Sequence, residues 1–325
     1  MKSLDFILRR LAKAFFVVIG VVILNFLLIQ LAPGDPAAVM AGDAGAGDAE
    51  YLAQLRAQFG LDKPLPVQLW NYLSGVLTGD LGYSYRNQLP VLDLIMDRLP
   101  ATLLLTGCAL VFSLVFGILF GVIAAWRRGG VLDSTIMFGA LLFYATPLFW
   151  TALMAVLLFS IKLGWLPPFD MESIGANLTG WARVKDIAWH LVLPVVTLGL
   201  FFTAIYTRLT RASMLEVMGQ DFIKTARAKG VPKGRIIRRH ALRNAFLPIF
   251  TFASLQAGQL VGGAVLTETV FAWPGIGRLM FDALLSRDYP VLLGVFLITA
   301  AMVVLVNLIA DLLYRFVDPR IEQGA

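Results

Sequence analysis

The chain has 325 residues, of which 58% are hydrophobic and 15% charged, and its formal net charge at pH 7 is +6. A soluble domain of this length would not tolerate so apolar a composition, so the sequence indicates a membrane protein. The sequence contains no G-x-x-x-x-G-K-[ST] motif, which excludes a P-loop for nucleotides, and its one cysteine, Cys108, excludes an internal disulfide.

Six uncharged apolar stretches reach or approach the length of about 20 residues that a helix needs to cross the hydrocarbon core. They lack the alternation of barrel strands, and lipid permits only helices or closed barrels because the backbone must satisfy its own hydrogen bonds. We therefore predict an all-α membrane protein with six transmembrane helices. The predicted spans are residues 14–33, 101–126, 134–161, 187–207, 244–267 and 289–310.

The first predicted span follows a basic flank like that of a signal peptide. Its apolar run is too long for one, and Pro33-Gly34-Asp35-Pro36 follows without a small-residue cleavage pattern. We interpret residues 1–33 as an N-terminal segment with a retained helix. Residues 34–98 then form an outer segment, in which we expect residues 41–49 to be flexible and residues 50–59 to be helical.

The remaining five spans are predicted within residues 99–317. A large loop at residues 208–243 separates the fourth span from the fifth, and a re-entrant segment is expected at residues 268–288. Residues 318–325 form a terminal tail.

Prolines and glycines mark special points inside the spans. Pro147 and Pro194 are expected to kink the third and fourth spans or open the backbone locally. Gly117 and Gly121 form a G-x-x-x-G pair in the second span, which favours close packing of helices within the chain.

The distribution of charge predicts the orientation. The termini and the even-numbered connections carry 18 Lys and Arg against 7 Asp and Glu, whereas the other three connections carry 9 against 14. Cytoplasmic connections are enriched in Lys and Arg. We therefore predict cytoplasmic N- and C-termini, and the basic excess is a matter of topology rather than a sign of nucleic-acid binding.

The loop at residues 208–243 holds ten Lys or Arg but only two acidic residues. A helix over residues 216–228 would end at Gly230 and Pro232, and a second helix would lead into the fifth span. Such a loop could bind lipid headgroups or dock a partner protein, and physical reasoning alone supports both equally.

A motif in this loop distinguishes the two readings. The sequence Lys224-Thr225-Ala226-Arg227-Ala228-Lys229-Gly230 resembles the Glu-Ala-Ala-x-x-x-Gly loop of ABC importer permeases, although Lys224 and Thr225 replace Glu and Ala. In addition, Leu247-Pro248 lies further from Gly230 than in the general motif, and both departures resemble the dipeptide/oligopeptide/nickel branch of that family. Further segments along the chain resemble the same branch, among them Arg239-His240-Ala241-Leu242-Arg243-Asn244-Ala245-Phe246-Leu247-Pro248, and Leu266 to Leu279.

The resemblance implies a type I ABC importer permease of the bacterial inner membrane. It implies a second homologous permease, two ABC ATPase subunits and a periplasmic solute-binding protein as partners, besides the lipid membrane. No cofactor would be bound by this chain, and ATP and Mg²⁺ would bind the ATPases. The motif from Lys224 to Gly230 would contact an ATPase, and the chain itself would have no catalytic residue. Dipeptides or oligopeptides are the expected substrates, with nickel complexes or glutathione as alternatives.

Four residues are candidates for the translocation path or an outer gate. Gln256 and Gln259 lie beside a face of small residues in the fifth span, and Glu268 and Trp273 lie at its outer end. Ionisable groups near a membrane mouth are functional candidates, although structural roles in packing and interfacial anchoring are also consistent with these positions.

Two other classes of function have less support in the sequence. A stand-alone channel or secondary transporter lacks support because the spans carry no acidic or basic residue at mid-membrane. An intramembrane enzyme or metal site lacks support because His190 and His240 are predicted on opposite sides of the membrane, without a second ligand nearby.

Overall fold

The computed structural model describes residues 2–31, 49–58, 62–84 and 86–317, which are predominantly helical. Most of the stretch at residues 41–49, which we expected to be flexible, lies outside the described residues, as does the terminal tail.

The elements in chain order are α1 (Lys2–Leu31), α2 (Ala49–Gln58), α3 (Leu65–Thr78), β1 (Tyr83–Ser84), β2 (Leu89–Pro90), α4 (Val91–Trp126), α5 (Val131–Ala145), α6 (Leu148–Ala155), a π-helical segment (Val156–Lys162), α7 (Gly180–Met218), α8 (Asp221–Ala228), α9 (Lys233–Arg235), a second π-helical segment (Ile236–Ala241), α10 (Leu242–Gly263), α11 (Val265–Val270), α12 (Ile276–Ser286) and α13 (Tyr289–Val317).

The chain forms two compact units. The first comprises residues 1–101 and 274–305, and the second comprises residues 102–273 and 306–325. The division falls within α4 and α13, so neither unit is a separate run of sequence.

In the first unit, buried polar contacts tie the outer segment to the start of α13. The strands β1 and β2 pair antiparallel, and the buried Ser84 hydroxyl donates to Asp288 Oδ2 at 2.5 Å. Asn25 of α1 is also buried, and its side-chain amide donates to the Leu293 carbonyl at 3.2 Å. A Cβ added at Gly294 would lie only 2.5 Å from Val91, so α4 and α13 approach closely here.

In the second unit, α4 packs directly on α7 through the predicted glycine pair. A Cβ added at Gly117 would collide with Tyr206, and one added at Gly121 would collide with Thr210 and lie 2.8 Å from the Thr207 carbonyl oxygen. The prediction of close intramolecular packing at the G-x-x-x-G pair is therefore confirmed.

Three helices among the described residues are long and apolar enough to cross a membrane: α4, α7 and the Tyr289–Ala310 part of α13. Helix α5 forms a bent pair with the helix Leu148–Lys162, which consists of α6 and the first π-helical segment, and this pair would make a fourth span. A shorter apolar helical stretch covers Phe15–Leu28. The helical membrane fold is confirmed, whereas the count of six spans and the orientation of the termini stay predictions.

The two prolines behave differently. Helix α5 ends at Ala145, Pro147 precedes α6, and the two helices meet at an angle of 103°, so the predicted break is confirmed. Pro194 lies inside α7, which remains helical on both sides of it.

Candidate functional site

The basic loop is more helical than predicted, because α7 continues to Met218 before the chain turns at Gly219 and Gln220. Helix α8 therefore begins at Asp221 rather than at residue 216. Asp221 lies in its first turn, where a negative charge is favourable for the helix dipole. Lys224 pairs with Asp221 at 2.7 Å, but both side chains are exposed, so this ion pair contributes little to stability.

Gly230 closes α8 as the motif predicts. Its φ is +75°, its N–H donates to the Arg227 carbonyl at 3.0 Å, and the Val231 N–H donates to the Ala226 carbonyl at 3.1 Å. These two bonds form the Schellman arrangement, which requires a left-handed residue at this position and therefore favours glycine. Pro232 then starts α9, so the turn between the two helices is fixed in direction.

One face of α8 is held by an apolar cluster, here called the loop core. Ile223 is fully buried and Ala226 is 9% exposed. The core members are Ala125 of α4, Met214 and Val217 of α7, Ile223 and Ala226 of α8, Ile236, Ile237 and Ala241 of the second π-helical segment, and Ala245 of α10. Because α8 packs on four other elements, its displacement would be transmitted to α4, α7 and α10.

The opposite face of α8 is exposed and carries most of the predicted contact motif. Thr225, Arg227, Ala228 and Lys229 are exposed, and Phe222 presents 41% of its surface. Within the motif, Ala226 points into the loop core instead, so it supports the helix rather than the exposed face. An aromatic side chain among cations is typical of a protein contact.

The candidate path residues have different environments. Glu268 and Trp273 are fully buried, and Glu268 accepts a hydrogen bond from the Thr102 hydroxyl at 2.7 Å. Helix α11, which carries Glu268, packs against α6 and α7. Gln256 is half-buried, and the side chain of Gln259 lies outside the described residues. A path role for these residues stays a prediction.

A cavity of about 430 Å³ lies within the first unit, between the turn of the β-hairpin, α4 and α12. Its charged lining residues are Arg86, Arg98 and Asp282. Arg98 lies 3.8 Å from Asp97, and Asp282 lies 3.9 Å from Arg278, both longer than a hydrogen bond. The cavity therefore combines two guanidinium groups with one carboxylate, and suits an anionic partner.

Two features escaped the sequence analysis. Phe222 could have been found, because it is an aromatic residue on the polar side of an amphipathic helix. The ion pair between Asp133 and Arg211 could not, because the two residues are 78 positions apart. Among the described residues, no three His, Cys, Asp or Glu side chains are grouped as metal ligands would be.

Comparison with known families covers nearly the whole chain. Residues 117–323 match the family described as "Binding-protein-dependent transport system inner membrane component". Residues 3–106 match the N-terminal family of the same membrane component.

Curated relatives match over almost their full length. The dipeptide transport system permease protein DppB of Escherichia coli (strain K12) is 44% identical over 336 residues, covering 98% of this chain and 99% of that protein. The di/tripeptide transport system permease protein DppB of Pseudomonas aeruginosa (strain UCBPP-PA14) is 41% identical, with the same coverage.

A solved structure shares the fold. A chain of the MetNI methionine ABC transporter in an inward-facing conformation superposes with a TM-score of 0.56 at 20% identity, covering 69% of this chain and 96% of that chain. At this identity the likeness shows the fold alone, which is that of a type I ABC importer permease.

Proposed function

The chain belongs to the family of inner membrane components of binding-protein-dependent transport systems, and from this premise we propose that it is the permease subunit of an ATP-driven importer of dipeptides. The observation that carries the substrate class is the 44% identity, over 98% of this chain, to a dipeptide permease. The related proteins are permease subunits, so the chain is a membrane component of an ABC importer.

ATP and Mg²⁺ bind partner ATPases in this proposal, because the sequence of this chain contains no P-loop. One of the two ATPases would contact the exposed face of α8, where Phe222 and the neighbouring cations are available. Hydrolysis would move α8, and the loop core would transmit the displacement to the membrane helices. The second permease would complete the path across the membrane.

The proposal is tested with the chain co-expressed with its genomic neighbours, purified as a complex and reconstituted into vesicles. We expect uptake of a labelled dipeptide that requires ATP and a solute-binding protein. Competition by glutathione or by a nickel complex, with none by unlabelled dipeptide, would reassign the substrate. Uptake without ATP by this chain alone would contradict the importer.

Substitutions at the two alanines of the motif distinguish loss of ATPase binding from loss of stability of the permease. Ala228→Asp places a carboxylate on the exposed face of α8, so we expect the ATPase to dissociate from a normally folded permease. Ala226→Asp buries a charge in the loop core, which costs several kcal/mol, so the permease itself should lose thermal stability. Co-purification of the ATPase and thermal unfolding in detergent measure the two effects, and equal loss of stability in both variants would contradict this assignment.

The cavity of the first unit is the proposed contact for an acidic side chain of the solute-binding protein. The predicted outer connections hold more acidic than basic residues. A cavity with Arg86 and Arg98 would therefore attract a negatively charged partner more strongly than the surface around it. We expect Arg86→Glu with Arg98→Glu to raise the concentration of binding protein needed for half-maximal ATP hydrolysis by about tenfold or more at low salt.

Arg56→Glu with Lys63→Glu, at two exposed positions of the outer segment, makes the same change of charge outside the cavity and is the matched control. An equal effect in the control would indicate a general charge effect and would overturn the proposed contact.

A further inference from the structure

A partly buried ion pair fixes the first turn of α5 to α7. Arg211 donates from Nε to Asp133 Oδ1 at 2.7 Å and from Nη2 to Oδ2 at 2.8 Å. The Gly129 N–H also donates to Asp133 Oδ2 at 3.0 Å, and Asp133 is only 4% exposed. A bidentate pair restricts both the distance and the direction between its groups, so this end of α5 cannot slide along α7 while the pair is intact.

Further along the same helices, a cavity that is open on one side lies between them. It has a volume of about 190 Å³ and is bordered by Ile136, Gly139 and Ala140 of α5, by Thr203 and Thr207 of α7, and by Phe120 of α4. The space is larger than a water molecule, so the side chains of the two helices could move closer together here.

One polar group at the cavity, a threonine hydroxyl, also lacks a hydrogen bond to the described part of the chain. The Thr203 hydroxyl is buried and has no hydrogen-bond partner among the residues the structure describes. Buried hydroxyls are nearly always paired in a settled arrangement. The open cavity provides the space, and this hydroxyl an unused hydrogen-bonding group, for a second, closer arrangement of α5 and α7.

The far end of α5 is not continuous with the next helix. Helix α5 ends at Ala145, and the axis turns by 103° before α6 begins at Leu148. One end of α5 is therefore held by an ion pair, its middle borders the open cavity, and its other end is a break in the helix.

Helix α5 also contributes no residue to the loop core, through which α8 contacts α4, α7 and α10. Movement of α8 thus reaches α7 by apolar packing, and the Asp133–Arg211 pair then links α7 to α5. We propose that α5 rocks about this ion pair during transport, closing the cavity against α7 in one of the two states. Asp133 and Arg211 are positioning residues in this scheme, which rests on the proposed function.

Filling the cavity tests the movement. The open cavity, at about 190 Å³, has room for a leucine side chain, and a Cβ added at Gly139 meets no atom within 4 Å. We expect Gly139→Leu to keep or raise the unfolding temperature and to lower dipeptide uptake at least tenfold, while the assembled complex still hydrolyses ATP. Gly107→Leu, on an exposed and open position of α4, is the control.

Replacing the ion pair tests the pivot. A double change to apolar residues, Asp133→Leu with Arg211→Met, avoids leaving one charge buried alone, so we expect a folded complex whose ratio of transported dipeptide to hydrolysed ATP falls at least fivefold. A merely structural pair would leave this ratio unchanged in every complex that assembles.

The outcomes separate this inference from the proposed function. If the unaltered complex transports dipeptide and Gly139→Leu transports within twofold of Gly107→Leu, the rocking of α5 is wrong and the importer stands. If the unaltered complex shows no ATP-driven dipeptide uptake, the proposed function itself is wrong.

Discussion

Gly230→Pro is expected to abolish ATP-driven uptake while the chain remains inserted in the membrane. The position has a φ of +75° and a donating N–H, whereas proline fixes φ near −65° and has no N–H. The positive φ and the N–H donor that end α8 are therefore lost together, so the turn into α9 must change direction. We expect an effect of about 3 kcal/mol or more on the local structure, with uptake and ATPase co-purification as the measurements.

Two alanine substitutions provide a graded control for this result. A Cβ meets open space at both Gly230 and Gly234, but a positive φ occurs only at Gly230 of the two. Gly230→Ala should therefore cost about 1–2 kcal/mol and reduce uptake partially, whereas Gly234→Ala should be neutral. Full transport by Gly230→Pro, at matched amounts of inserted protein, would refute the role of this turn.

Gly121→Leu is expected to prevent normal folding of the second unit. The backbone of α7 lies against Gly121, with the Thr207 carbonyl oxygen 2.8 Å from the place of a Cβ. A backbone atom cannot rotate away as a side chain can, so the two helices must separate. Overpacking of this kind typically costs about 1–3 kcal/mol, and we expect the upper end of that range or beyond.

The measurement is the amount of monodisperse protein in mild detergent and its unfolding temperature. Gly107→Leu adds the same side chain to α4 at an open position and should behave as the unaltered protein. A Gly121→Leu protein as stable as Gly107→Leu would show that α4 and α7 are not in direct contact.

Local chemistry explains most of what the sequence predicts correctly. Gly230 and Pro232 end α8 because their backbone preferences leave few other conformations. Pro147 breaks the helix and Gly117 permits close packing for equally local reasons. Helix α7 extends to Met218, beyond the predicted end of the fourth span at Thr207, because no helix breaker occurs before Gly219 and the charged residues from Arg208 onwards continue the helix.

Features that depend on contacts between residues far apart in the chain could not be predicted from the sequence. The direction in which Ala226 points is decided by the loop core, whose members come from five elements. The partner of Glu268 is Thr102, 166 positions away. Neither contact has a periodic pattern or motif of its own, so only the folded chain brings these residues together.

The length of α7 has a mechanical consequence. Its 39 residues extend about 58 Å at 1.5 Å per residue, while the hydrocarbon core is about 30 Å thick. Close to half of this rod must therefore project beyond the apolar layer. On the side of α8, the 11 residues after the predicted span, 208–218, extend about 16 Å, so a tilt of about 10° displaces their end by about 3 Å. A small rotation of the part of α7 within the membrane therefore displaces the point where it joins α8.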